Sequence, residues 1–185
     1  MAVSVSAYAF ILETPMPEIS TMAEVAETIR NDALARAYEA LPPAMRDGDL
    51  QRLLLCPDYF HRLKYRLAAG VARELSANDP RVQAVYTFEP SAGADDEAAG
   101  ELPLDPTLHL LVMVTAPSAA LQSFVESLDR ALTMSLRQLP SPGFAQRNSV
   151  LDVNLVTEEE ARHGTGWAAL LTSAFAPPTK LWERA

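Results

Sequence analysis

The side chains of this 185-residue chain best suited to chemistry lie in its second half. His109 sits between two leucines in the run LHLLVMVT, and Asp105, Thr107 and His109 recur at every second position. That spacing puts all three on one face of a strand, although Pro106 argues that Asp105 still belongs to the preceding loop. His109 reads as a partly buried, hydrogen-bonded strand histidine, with a ligand role as the alternative. Asp152, in LDVNLV, alternates with Leu151, Val153 and Leu155 and shares its face with Asn154. It reads either as a site acid or as a solvent-facing residue opposite a buried face. Nearer the N-terminus, Arg62, Arg66 and Arg73 recur at four and seven residues, one stripe of a helix. Such a stripe is a solvated polar face or a contact for an anion or an acidic partner.

Other chemistries find no pattern. His61, His109 and His163 lie far apart without the HxH or HExxH spacing of a zinc site, so no metal is expected. The lone Cys56 follows three leucines and precedes a proline, which makes it a small core residue rather than a nucleophile, and it excludes an intramolecular disulfide. No GxSxG, P-loop or dinucleotide-binding glycine pattern occurs.

The elements that must position these residues follow from periodicity. Met22, Val25, Ala26, Ile29, Ala33, Ala37 and Leu41 repeat at three and four residues behind a Thr21/Glu24 capping box, and Pro42–Pro43 stop the helix they define. A short helical piece over 49–55 precedes a second long helix from Asp58, lined by Phe60, Leu63, Leu67, Val71 and Leu75 and closed by Asn78–Asp79–Pro80. The period then changes to two over 82–88, predicting a strand. Residues 89–106, rich in Gly, Pro, Ala and acids, read as a long exposed loop. A second strand over 108–115, a third long helix from Pro117 to Leu139, a PSPGF loop, a third strand over 150–156 and short helices up to Pro177 complete the order. Thr157 and Glu160 form a capping box ahead of Gly164. The expected organisation is an extended N-terminal arm over 1–20 and one domain over 21–185, helical over 21–78 and α/β over 79–185.

Composition excludes whole classes. With 49% apolar residues the chain can fill a core, and with 15 basic against 24 acidic residues its formal charge of −9 opposes nucleic-acid binding. No apolar run approaches the ~20 residues that span a bilayer, and no Lys or Arg precedes Arg30 as a secretory leader requires. The expectation is a cytoplasmic chain with no membrane partner. Val3, Val5, Tyr8, Phe10, Ile11 and Leu12 in the arm predict addition to a sheet edge, its own or a neighbour's, with a homodimer favoured.

The order of elements over about 60–180, with VQAVYTFEPS in the first-strand position and DPTLHLLVMV in the second, resembles the nucleotidyltransferases of the DNA polymerase β superfamily, in particular the minimal type. In that family Gly-Ser follows the first strand, Asp-x-Asp opens the second and a third strand supplies another acid. The carboxylates hold Mg²⁺ against nucleotide phosphates. Here Glu89-Pro90 stand in place of Gly-Ser, with Ser91 one position later; Thr107-Leu108-His109 replace Asp-x-Asp, and Asp152 matches the third acid in type. The resemblance implies an α/β (α+β) fold, a small mixed sheet covered by helices, with extra N-terminal helices. It places Thr107, His109 and Asp152 at one edge of a cleft, with Glu89, Ser91 and Thr107 as candidate ligand contacts, to which the helical stripe adds Arg62 and Arg66. It also implies a catalytically inactive protein that binds a partner or a small ligand and needs no cofactor. The alternative is an active, divergent enzyme using Asp105, Asp152 and His109 with Mg²⁺, and a second is a structural or regulatory dimer without a ligand cleft.

Overall fold

The structure, a computed structural model, describes residues 19–46, 48–88, 104–174 and 177–185. Helix α1 (Ile19–Glu39) leads through a 3-10 turn (Pro43–Met45) and α2 (Leu50–Leu54) into α3 (Pro57–Asn78). Strands β1 (Val82–Thr87) and β2 (Leu108–Val114) follow, then α4 (Ala119–Leu136), the single turn α5 (Pro142–Ala145) and β3 (Leu151–Thr157). Helix α6 (Glu158–His163), a 3-10 helix (Gly166–Thr172) and β4 (Thr179–Glu183) close the chain. The four strands form one mixed sheet in the order β3-β2-β1-β4. β1 is antiparallel to β2 and β4, and β2 is parallel to β3. A small α+β fold, as the periodicities predict, is therefore what the chain adopts.

Each periodic stripe becomes a buried face. Ala26, Ile29, Ala33 and Ala37 of α1, Phe60, Leu63, Leu67 and Val71 of α3, and Leu121, Leu128, Leu132 and Leu136 of α4 join one core with Leu108, Leu110, Val112 and Val114 of β2. Helices α1 and α3 approach closely: a Cβ on Gly70 would lie 2.9 Å from Ile29 Cγ2, so only glycine fits that crossing. The opposite face of β2 carries Leu111 and Met113, which pack with Val156, Ala161, Ala168 and Leu171 beneath α6 and the 3-10 helix. Because side chains alternate across the sheet, His109 falls on this second face.

The ends of the elements have local causes. Asp49 caps α2 by accepting from Arg52 N, and Ser118 caps α4 by accepting from Leu121 N. Thr157 and Glu160 form the expected capping box, and Gly164, at φ 62°, ends α6 in the left-handed conformation that costs glycine little. Pro57 occupies the first turn of α3, where its missing N–H is no loss.

Four local expectations are corrected. Helix α1 begins at Ile19, so Thr21 lies inside its first turn rather than at its cap. The PSPGF segment is not plain loop, since Pro142–Ala145 makes a helical turn that buries Phe144. The segment after Gly164 is 3-10 rather than α-helical. Beyond Pro177–Pro178 the chain forms β4, a strand the sequence reading omitted, because TKLWE is too short for alternation to stand out and is secured by pairing with β1. The expectations for the 1–20 arm apart from its last two residues, and for the loop over 89–103, lie outside the described residues.

Candidate functional site

Two parallel strands bring the first candidates together. His109 of β2 and Asp152 of β3 are register partners, on the same face of the sheet, and His109 Nδ1 lies 2.8 Å from Asp152 Oδ2. A carboxylate only accepts, so the proton of this contact sits on Nδ1 and the imidazole donates. The other ring nitrogen, Nε2, lies 3.6 Å from Asp105 Oδ2, too far for a hydrogen bond, and is buried with no hydrogen-bond partner among the described residues. The His109 side chain is only 13% exposed, against 47% for Asp105 and 46% for Asp152. Phe88 covers the imidazole, its ring centroid 5.6 Å away, and Trp167 stacks at a tilt on Phe88 from outside. His109 is therefore enclosed between two carboxylates, with no ring nitrogen presented to solvent.

Asp105 is held from several sides. Its Oδ1 accepts from Thr107 N, Thr107 Oγ1 and Arg147 Nη2 at 3.1, 2.8 and 3.0 Å. Burial works to raise its pKa, but the Thr107 hydrogen bonds and the charges of Lys64 and Arg147 outweigh it and hold the carboxyl below its ordinary value. It sits in the loop before β2, as Pro106 implied. Asp152 Oδ1 lies 3.4 Å from Asn154 Nδ2, a long contact along the same face. Among the described residues no group of three His, Cys, Asp or Glu side chains is arranged to hold a metal ion.

The arrangement depends on how β3 is anchored. Asp129 of α4 accepts from Val150 N and Leu151 N at 2.9 and 2.8 Å, which fixes where β3 begins and hence which residue faces His109. Residues Pro142–Ala145 brace the neighbouring loop: a Cβ on Gly143 would lie 3.3 Å from Leu104 O, immediately before Asp105.

On the helical side of the sheet, at the same end, lies a cavity of about 360 Å³. Helix α3 supplies His61, Lys64 and Tyr65. Facing them are Thr87 and Phe88 after β1, Leu108 of β2, and Pro177 and Thr179 at the start of β4. Lys64 is only 5% exposed although it is charged. Neither Arg62 nor Arg66 lines this space: Arg62 is exposed, and Arg66 lies over its neighbour Tyr65 with 5.8 Å from guanidinium carbon to ring centroid. Arg73, the third member of the stripe, pairs with Asp32 on α1 at 3.0 Å. Glu89 and Ser91 lie outside the described residues. Cys56 is partly buried against the core at the start of α3.

Of the expected site, then, Asp105, Thr107, His109 and Asp152 come together. The residues the sequence reading missed are Lys64 and its neighbours on α3. The signal was present, because Lys64 falls on the apolar stripe between Phe60, Leu63 and Leu67, where a charge is out of place.

Comparison with protein families, with curated proteins and with solved structures finds no match for this chain. Among the described residues no helix is long and apolar enough to cross a membrane.

Proposed function

We propose that this chain is a nucleotidyltransferase-like protein that acts by binding, taking a small ligand or a protein partner, and no longer transfers nucleotidyl groups. One observation carries the reading: one oxygen of each acid in the β2–β3 region is already engaged by a protein group. Asp152 Oδ2 is taken up by His109 Nδ1, and Asp105 Oδ1 by Thr107 and Arg147. Two-metal phosphoryl transfer requires several carboxylate oxygens free to converge on cations. The enclosed Nε2 of His109 likewise supports a bracing role over that of a base meeting substrate. The cavity on the α3 side, within the size range of small-molecule sites, supports the small-ligand form of the proposal.

An NMR titration tests it. With Mg²⁺ and a nucleoside triphosphate at millimolar levels, the His109 imidazole signals and the amides of Asp105 and Asp152 are expected to stay in place. Saturable, Mg²⁺-dependent shifts centred on those three residues would overturn the reading and favour the active-enzyme alternative.

A further inference from the structure

The two outer strands of the sheet end it in different ways. Strand β4 carries Lys180 and Glu183, paired with each other at 2.8 Å, and its register against β1 is broken by an irregularity between Val85 and Tyr86. Charged residues and bulges of this kind keep an edge from pairing further. Strand β3 has no such break: its register with β2 runs evenly from Leu151 to Thr157, and Asp152 is its one charged residue.

Backbone geometry shows how much of the β3 edge is open. Leu108 N donates to Val150 O, and Leu108 is the register partner of Leu151. In a parallel ladder this fixes the alternation: Asp152, Asn154 and Val156 turn their backbone groups towards β2, and Leu151, Val153, Leu155 and Thr157 turn theirs outward. The outward positions at either end are already engaged. Leu151 N donates to Asp129 and Leu151 O accepts from Ser149 Oγ, while Thr157 N donates to Glu160 Oε2. Between them stand Val153 and Leu155, half-buried aliphatic residues whose backbone N–H and C=O groups have no hydrogen-bond partner among the described residues.

We infer that this edge pairs with β3 of a second copy of the chain, antiparallel about a two-fold axis at Asn154. A symmetric pair centred there sets Val153 opposite the partner's Leu155 and Leu155 opposite the partner's Val153, and each couple exchanges two backbone hydrogen bonds. The open donors and acceptors of both strands are then all used. Centring the pair on Val153 would need the groups of Leu151, and centring it on Leu155 would need those of Thr157, which are already committed. The Val–Leu couples cover the half-buried side chains, and Asp152 falls opposite the partner's Val156 rather than its own copy. Antiparallel pairing also brings opposite charges together. Exposed Glu158 and Glu159 follow the C-terminal end of β3; before its N-terminal end lies exposed Arg147, which also pairs with Asp105 and whose carbonyl accepts from the exposed Arg137. The assembly joins two four-stranded sheets into one of eight. This pairing is independent of the nucleotidyltransferase-like reading and of the cavity against α3.

Sedimentation equilibrium and amide exchange on the full chain test it. The mean mass is expected to rise from 20.1 kDa towards twice that value with concentration, and the amides of Val153 and Leu155 to gain protection in step. Leu155→Pro removes one outward N–H and leaves the ladder to β2 intact, because proline is tolerated where its nitrogen faces away from the sheet. Asn154→Lys keeps every backbone group and sets two ammonium groups opposite each other at the axis. Each variant is expected to keep its circular dichroism and to weaken association by at least roughly tenfold. Should the proline unfold the strand, the lysine variant alone decides. A mass of one chain up to about 1 mM, where a Kd of that size would leave half the chains paired, would overturn the inference. So would a dimer that Asn154→Lys leaves intact, a dimer whose Val153 and Leu155 amides exchange as they do in the monomer, or protection of those amides in a chain that stays monomeric, which would show the edge covered from within.

Discussion

Phe144→Ala is expected to cost about 3–5 kcal/mol of folding stability. Phe144 is fully buried although it sits in a four-residue helical turn, and its ring meets that of Phe60 on α3 with centroids 5.7 Å apart and a 36° tilt. Alanine would remove the transfer free energy of the ring, leave a cavity the surrounding helices can only partly close, and lose an aromatic pair worth about 1 kcal/mol beyond its buried area. The change also reaches the site. The same turn packs Gly143 against Leu104 and is followed by Arg147, which donates to Asp105. Urea denaturation of Phe144→Ala and Phe144→Leu measures the cost, and the leucine variant should recover more than half of it. A loss below about 1 kcal/mol for alanine would show that α5 is not anchored through this ring.

Asp129→Ala is expected to be the next most damaging change, at about 3 kcal/mol, because it strands two amides at the start of β3. Val150 and Leu151 are buried, so their N–H groups cannot turn to water when the carboxylate is removed. Each such orphan costs roughly 1–3 kcal/mol, and bonds to a charged acceptor are the stronger kind. Asp129→Asn retains an acceptor oxygen and gives up only the charge, so its loss should be markedly smaller. Thermal unfolding of the two variants gives the ordering. Amide exchange at 150–152 gives the mechanism, with protection lost in the alanine variant and largely kept in the asparagine variant. Equal stability of alanine and asparagine variants would contradict the anchoring role.

These two residues also mark what periodicity can and cannot reveal. The helical stripes of α1, α3 and α4 and the alternation of β1 to β3 were legible because burying one face of an element demands a repeating pattern. The shared face of Asp152 and Asn154, and that of Thr107 and His109, followed from the same rule. That His109 should stand opposite Asp152 was not a matter of pattern. It depends on the register of two parallel strands joined through α4, set by Asp129 at a sequence separation of about twenty residues. Strand β4 escaped notice because its five residues carry Lys180 and Glu183, and its pairing partner β1 is distant in sequence. On α3, spacing drew attention to Arg62 and Arg66, which face outward, while His61, Lys64 and Tyr65 line the cavity. A charge breaking an apolar stripe is the more informative sign, since a charge on a polar face has solvent as sufficient reason to be there.

On the proposed reading this protein binds and does not transfer. Its most direct test is a turnover assay of the full chain with Mg²⁺ or Mn²⁺, labelled nucleoside triphosphates and a range of acceptors, run beside an Asp152→Asn variant. Removing one preorganised charge partner from an active site commonly costs about 2.7–4 kcal/mol of barrier, and under the proposed nucleotidyltransferase-like reading two acids and the phosphate-binding turn would be altered together. No transfer above the protein-free control and no difference between the two proteins are expected; robust metal-dependent turnover that disappears in Asp152→Asn would contradict the binding role.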